Sequence, residues 1–311
     1  MEITRLKNKY HGERIFLIGN GPSIKKTPLE MLEDEYTLGM NKINILYEET
    51  NWRPSFYLFV QNKLTEERRK NVHENIANDT ICIISSDHRD IFEERDGVYY
   101  VNVIKLKNEG TDGYKFIKNH DKQELNECNI SQLRQYWSDQ VNKHLFSFHS
   151  MYSAFQLSSY MGFDKIYLVG CDLGFGVHNP HMIFDTDIDP LDYSDPDSIL
   201  GAEISYLQDS FTEGCLTKSL INGMIYRLLT SELYYPTYRI LDYISEISDS
   251  NHFSSNYRKR PTDLRHIDEE IRKSHIISKR ILNNDGVEVY NSTIGGELEV
   301  YQRKSIQEVV R

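Results

Sequence analysis

Two glycines, an asparagine and a serine stand together in Gly19-Asn20-Gly21-Pro22-Ser23, directly after the apolar run Ile15-Phe16-Leu17-Ile18. Glycine has no Cβ and takes positive φ, so a strand ending in this turn lets the backbone approach a ligand closely. Ser23 can cap a following helix, whose first N–H groups suit a phosphate. The chemistry implied is nucleotide binding at the carboxyl end of a first strand. A glycine turn with no ligand is the plain alternative, because short glycine motifs are weak alone.

A second candidate is Asp172, which follows Ile166-Tyr167-Leu168-Val169-Gly170-Cys171. Open α/β sheets place ligand residues at such strand ends, although aspartate also serves as a turn or cap residue. His178 and His181 come next, in an Asp- and Pro-rich stretch, 177–198, that reads as a lid. A third group is His252, followed by Tyr257, Arg258, Lys259 and Arg260. Three cations can balance a phosphoryl leaving group while the imidazole takes or gives a proton near neutral pH. A solvated basic turn before a helix is the competing reading. Asp185-Thr186-Asp187 has metal-binding DxD spacing. In so acidic a stretch chance explains the triplet, so no metal site is expected and magnesium is not favoured.

Several chemistries are excluded by what these segments lack. No Lys-Ser/Thr follows the glycine turn, so it is not a P-loop. Ile24 stands where a dinucleotide fingerprint has its third glycine, and the next strand-like run ends in Asn41 rather than an acidic residue. NAD and FAD are therefore not expected. No nucleophile elbow or Cys-His arrangement is present.

The elements that must position these groups alternate between strands and helices. Strands are predicted at 14–18, 36–40, 55–60, 80–85, 98–103, 165–170 and 287–290, several of them near-continuous apolar runs. That pattern predicts an α/β fold: a Rossmann-like, mainly parallel sheet flanked by helices. Met151, Phe155, Leu157 and Met161 define a helix face that Gly162 stops. A second helix runs from Thr262 or Asp263 to about Asn284, with Leu264, Ile267, Ile271, Ile277 and Ile281 near one face, and Gly286 ends it. Residues 105–143 read as a polar, partly helical peripheral insertion. The expected domains are a nucleotide-binding core, 1–176 with 248–311, and a lid and helical insertion, 177–247.

Composition agrees with a globular protein of 311 residues, 39% hydrophobic and 27% charged. A formal net charge of −11 argues against unspecific nucleic-acid binding. Four cysteines without a CxxC pair argue against zinc and a disulfide framework. No apolar run reaches the ~20 residues that span a bilayer, and the first residues carry no signal-peptide pattern. A cytoplasmic location is the expectation.

Four blocks in this order, GNGPS, GFDKIYLVGCD, DSNHFSSNY and GVEVYNSTIGGELEV, resemble the MptE-like Rossmann family. More weakly they resemble the bacterial sialyltransferases of glycosyltransferase family 42. The resemblance runs from Arg14 to about Arg303. It implies a CMP-activated sugar acid at the carboxyl edge of the sheet in a single-domain, GT-A-like architecture. Asn20, Gly21, Ser23 and Asn41 match positions that contact CMP, with Gly19 and Pro22 in the same turn. Ser150 falls near a helix start that holds phosphate or donor sugar. Asp172 matches an aspartate beside the cytidine, and the lid would close over the donor.

The chain also departs from the sialyltransferase pattern. Tyrosines that would meet the departing phosphate are replaced by Leu173, Gly174 and Phe175, then by His178 and His181. His252-Phe253 matches a His-Tyr pair, and the base position after that pair falls near Asn256. His252 is therefore the candidate base, with Tyr257, Arg258 and Lys259 on the donor. The implied activity is transfer of a sialic-type or related ulosonic acid from a CMP donor to a glycan hydroxyl, with no obligatory cofactor. A lipid-linked acceptor would bring peripheral membrane association. The alternatives are diphosphate transfer from ATP to a hydroxymethylpterin, or nucleotide binding without catalysis.

Overall fold

The computed structural model describes residues 2–61, 65–92, 94–106, 111–173 and 265–310. All belong to one of two compact units of the chain, Met1–Phe175 with Arg265–Arg311. The expected lid and helical insertion, and the boundaries drawn for it, lie outside the described residues.

The strands are β1 (Arg14–Ile18), β2 (Tyr36–Met40), β3 (Phe56–Phe59), β4 (Ile81–Ser85), β5 (Val98–Val101), β6 (Val103–Lys105), β7 (Leu145–Ser147), β8 (Lys165–Val169), β9 (Glu288–Asn291) and β10 (Gln302–Arg303). Eight form one sheet in the order β10-β9-β8-β1-β2-β3-β4-β5. Every neighbouring pair in it is parallel. β6 and β7 make a separate parallel pair. The α/β, Rossmann-like class read from the sequence is the class observed.

Hydrophobic burial explains the sheet. Ile15, Phe16, Leu17 and Ile18 are all fully buried, as a central parallel strand covered on both faces requires. The two-residue period sends Ile15, Leu17, Leu38, Met40, Ile166 and Leu168 into one apolar cluster. There they meet Met151, Ala154, Phe155 and Leu157 of the helix Ser150–Met161 and Ile271, Ile277 and Ile281 of the helix Arg265–Asn284. Phe16 packs on Tyr167, with ring centroids 5.1 Å apart.

The helices are α1 (Glu66–Ala77), α2 (Asp112–Asn119), α3 (Lys122–Glu127), α4 (Ile130–Leu133), α5 (Ser150–Met161), α6 (Arg265–Asn284) and α7 (Ile306–Val309). α5 ends where predicted, on Gly162 in the left-handed region at φ 92°. His149 occupies its N-cap position, and His149 Nε2 lies 2.7 Å from Ser274 Oγ on α6. Ser274 donates its own proton to the Ile271 carbonyl, so the imidazole is the donor in that pair. The start of α5 is thereby tied to α6.

Three sequence expectations change. The strand expected at 98–103 is two strands in two sheets, broken at Asn102, whose carbonyl accepts from Leu145 N–H. Segment 105–143 is not a rim decoration, since Ile117, Leu125 and Leu133 are fully buried in the same apolar cluster as α6. β7 and β10 were not expected at all. Among the described residues no helix is long and apolar enough to cross a membrane.

Candidate functional site

Strand order reverses direction at β1: β2 lies on one side and β8 on the other. A crevice at the carboxyl ends of such a pair is where open α/β sheets take ligands. The segments that leave there are Gly19–Ser23 from β1 and Gly170–Leu173 from β8.

These segments touch through main chain. Gly19 N–H donates to the Val169 carbonyl at 2.7 Å and Gly21 N–H to the Gly170 carbonyl at 2.9 Å. A Cβ at Gly19 would overlap the Gly170 carbonyl, and one at Gly21 would overlap the Asp172 carboxylate. Gly21 has φ −71°, so its requirement for glycine is close approach and not backbone conformation. Gly170 does sit at φ +69°.

Asp172 is the partner of Ser23. Its carboxylate accepts from Ser23 Oγ at 2.8 Å and from Ser23 N–H at 3.2 Å. Burial pushes the carboxyl above its ordinary value, while the Ser23 bonds and the Lys26 charge pull the other way. This corrects the expected role of Ser23. The element after the turn is a five-residue 3-10 helix, Pro22–Lys26, with Gly21 at the N-cap and no side-chain cap. Pro22 has no N–H, Ser23 N–H is held by Asp172, and Ile24 N–H donates to the Gly21 carbonyl. The turn is therefore not a cradle of phosphate-ready N–H groups. The run to Thr27 is short, as 3-10 turns are, and Pro22 at its first position gives up an N–H that has no partner within the helix anyway.

The edge continues across β2 to α5. Asn20 is buried, and its Nδ2 donates to the Met40 carbonyl at 3.2 Å. Asn20 Oδ1 has no partner among the described residues, a costly state that a ligand donor would relieve. Asn41 takes the left-handed conformation, φ 56°, which its short amide tolerates better than most side chains. Asn41 Oδ1 accepts from Ser150 Oγ at 3.1 Å and from Gln61 Nε2 at 3.2 Å. Ser150 is the first residue of α5, whose N-cap makes no side-chain bond to the helix N–H groups. Of the sequence-derived residues, Gly19, Asn20, Gly21, Pro22, Ser23, Asn41, Ser150 and Asp172 thus follow one another along one sheet edge. His178, His181, His252, Tyr257, Arg258 and Lys259, with Arg260, Asp185 and Asp187, lie outside the described residues.

Sequence reasoning assigned no role to the loop after β9. Cys171 N–H donates to Thr293 Oγ1 at 3.0 Å and Glu297 N–H to the Asp172 carbonyl at 2.6 Å. Gly296, at φ +72°, lies so close that a Cβ would stand 2.6 Å from the Asp172 carbonyl oxygen. The Gly295-Gly296 pair was the available signal. Burial and the Asp172 charge both raise the Cys171 thiol above its ordinary value. Among the described residues no three His, Cys, Asp or Glu side chains gather to hold a metal.

No family model matches the chain, and no curated protein matches it. Solved structures similar to it include two glycosyltransferases. One is the MAf glycosyltransferase from Magnetospirillum magneticum AMB-1, 14% identical, TM-score 0.42, covering 99% of this chain and 38% of that one. The other is the sialyltransferase CstII from Campylobacter jejuni, in complex with a substrate analogue, cytidine-5'-monophosphate. It is 18% identical, TM-score 0.29, covering 52% of this chain and 63% of that one. The chain thus spans less than two thirds of the length of either neighbour. Identities this low transfer no residue roles.

Proposed function

We propose that the chain is a glycosyltransferase that moves a sialic-type or related ulosonic acid from a CMP-activated donor to a glycan hydroxyl. The observation that carries the reading is the joined edge at the β1/β8 switch point, where Gly21, Ser23 and Asp172 interlock and Asn20 Oδ1 has no donor among the described residues. In this reading the nucleoside lies against Asn20, Asn41 and Asp172. The donor phosphate lies at the start of α5 near Ser150, since the N–H groups of Gly19, Gly21 and Ser23 in the glycine turn are bonded to protein partners.

The reaction is a direct displacement. His252 takes the acceptor hydroxyl proton while the CMP phosphate leaves. An ulosonic carboxylate and a phosphate bring two negative charges to a protein of net charge −11. Local cations are therefore required, and Arg258, Lys259 and Arg260 supply them.

The test is a thermal-shift panel of CMP, CDP, UDP, GDP and ATP, each with and without magnesium. A ligand binding only the native state at ~100 times its dissociation constant adds ~2.7 kcal/mol. Stabilisation by CMP without metal supports the reading. Stabilisation by ATP with magnesium and none by CMP overturns it in favour of diphosphate transfer.

A further inference from the structure

The loop between β9 and β10 presses on Asp172, and its own carbonyls point the other way, onto Arg303. The Arg303 guanidinium donates to the carbonyls of Thr293 at 3.1 Å, Gly295 at 2.7 Å and Gly296 at 3.0 Å. Glu299 fixes the guanidinium from behind, with Oε1 at 2.6 Å from Nη2 and 3.1 Å from Nε. Arg272 of α6 holds the far end of the loop through the Glu297 carbonyl at 2.5 Å and the Glu297 carboxylate at 3.1 Å. With the carbonyls turned outward, the N–H of Glu297 turns inward to the Asp172 carbonyl.

We propose that Arg303 is a positioning residue: by holding three carbonyls of the 293–296 turn it seats Gly296 and Glu297 against Asp172 and so sets where that carboxylate stands. A rigid, planar fork suits this task, because its donors meet several carbonyls at once; an ammonium meets them singly. The proposal rests on the nucleotide reading only for its consequence in binding. Among the described residues, Lys26 of the 3-10 turn acts on the Asp172 carboxylate and Cys171 adjoins it in the chain, while Glu297, whose carboxylate pairs with Arg272, meets Asp172 through main chain.

The experiment follows the Asp172 carboxyl carbon by NMR titration in the full chain, assigned with Asp172→Asn. Burial holds its midpoint above the ordinary carboxylate value. In Arg303→Ala water reaches the carboxyl and the midpoint moves down, and CMP affinity falls at least tenfold. Arg303→Lys recovers only part of both. Should Arg303→Ala not fold, Arg303→Lys and Gly296→Ala carry the test, the latter by pushing on the Asp172 backbone directly. An unchanged midpoint in folded variants overturns the proposal, whatever the change in melting temperature. Absence of CMP binding by the wild type overturns the donor assignment instead, and leaves the carboxyl titration to decide on Arg303.

Discussion

The Asp172 carboxylate occupies the space in which a side chain at position 21 would begin. Residues 151 positions apart are thus in van der Waals contact because one of them has no side chain. Gly21→Ala should cost about 1–3 kcal/mol in urea denaturation, the usual range for overpacking. Much of that cost should vanish in an Asp172→Ala background, since the overlapping group is gone and the Gly170 carbonyl remains. Equal costs in both backgrounds would remove Asp172 from the account of why position 21 is glycine.

Asn41 combines a left-handed backbone with an amide oxygen shared by Ser150 and Gln61. Asn41→Gly relaxes the backbone and loses both bonds, whereas Asn41→Ala keeps the strain and loses both. The glycine variant should be the more stable, by roughly 1 kcal/mol. Both should weaken CMP binding alike in calorimetry. A glycine variant with wild-type affinity would confine Asn41 to shaping the turn.

His275 is buried beside Tyr301, whose hydroxyl lies 3.0 Å from Nδ1, and its ring centroid is 5.4 Å from that of His149. Burial first, then the charges of His149 and Arg272, hold its pKa well below 6.5. The unfolded chain therefore binds a proton that the native chain refuses. Stability should be full above about pH 6.5 and fall on acidification, with a slope of about 1.4 kcal/mol per pH unit until the native pKa is reached. His275→Gln should flatten that slope in chemical denaturation between pH 6.5 and 5. A slope equal to that of the wild type would show that other groups carry it. Asp172 acts with the opposite sign, because its carboxyl is raised and acid favours its native state.

His252→Ala should reduce turnover by ~10²–10⁴-fold with donor affinity intact, the usual size of a general acid–base contribution. Replacing Arg258 and Lys259 should instead weaken donor binding. Single-turnover rates for alanine variants at His178, His181 and His252 identify the base. Wild-type turnover in His252→Ala would assign the role to one of the other two or remove it from all three.

Local signals carried much of the fold. The boundaries of β1 and β2 are those expected from the sequence, 14–18 and 36–40, and Gly162 stops α5 where the helix face ends. These features depend on a few neighbouring residues and are legible in order. β7 and β10 are three and two residues long, too short to show a pattern of their own, and are defined by their pairing with β6 and β9. The role of Ser23 was misread for a similar reason. A serine after Gly-Pro looks like a cap until Asp172, far along the chain, claims both its hydroxyl and its N–H. The candidate residues of the β1 and β8 ends stood out by type, but the 293–297 loop did not. Its contact with Asp172 is made by backbone, which leaves little trace in residue identity beyond two glycines.

The pairing of β1 with β8 has a consequence for how the chain comes to be folded. Arg14 pairs with Lys165, so 151 residues separate the two sides of the sheet centre. β2 to β5 can add to β1 in order of synthesis, but its other edge has no partner until β8 has been made. At ~5–20 residues per second that wait is about 8–30 seconds. During it β1 offers an apolar strand with open hydrogen-bonding groups, the kind of edge that pairs with other chains. The nascent half-sheet is therefore the stage at which this protein most needs shielding from its own copies.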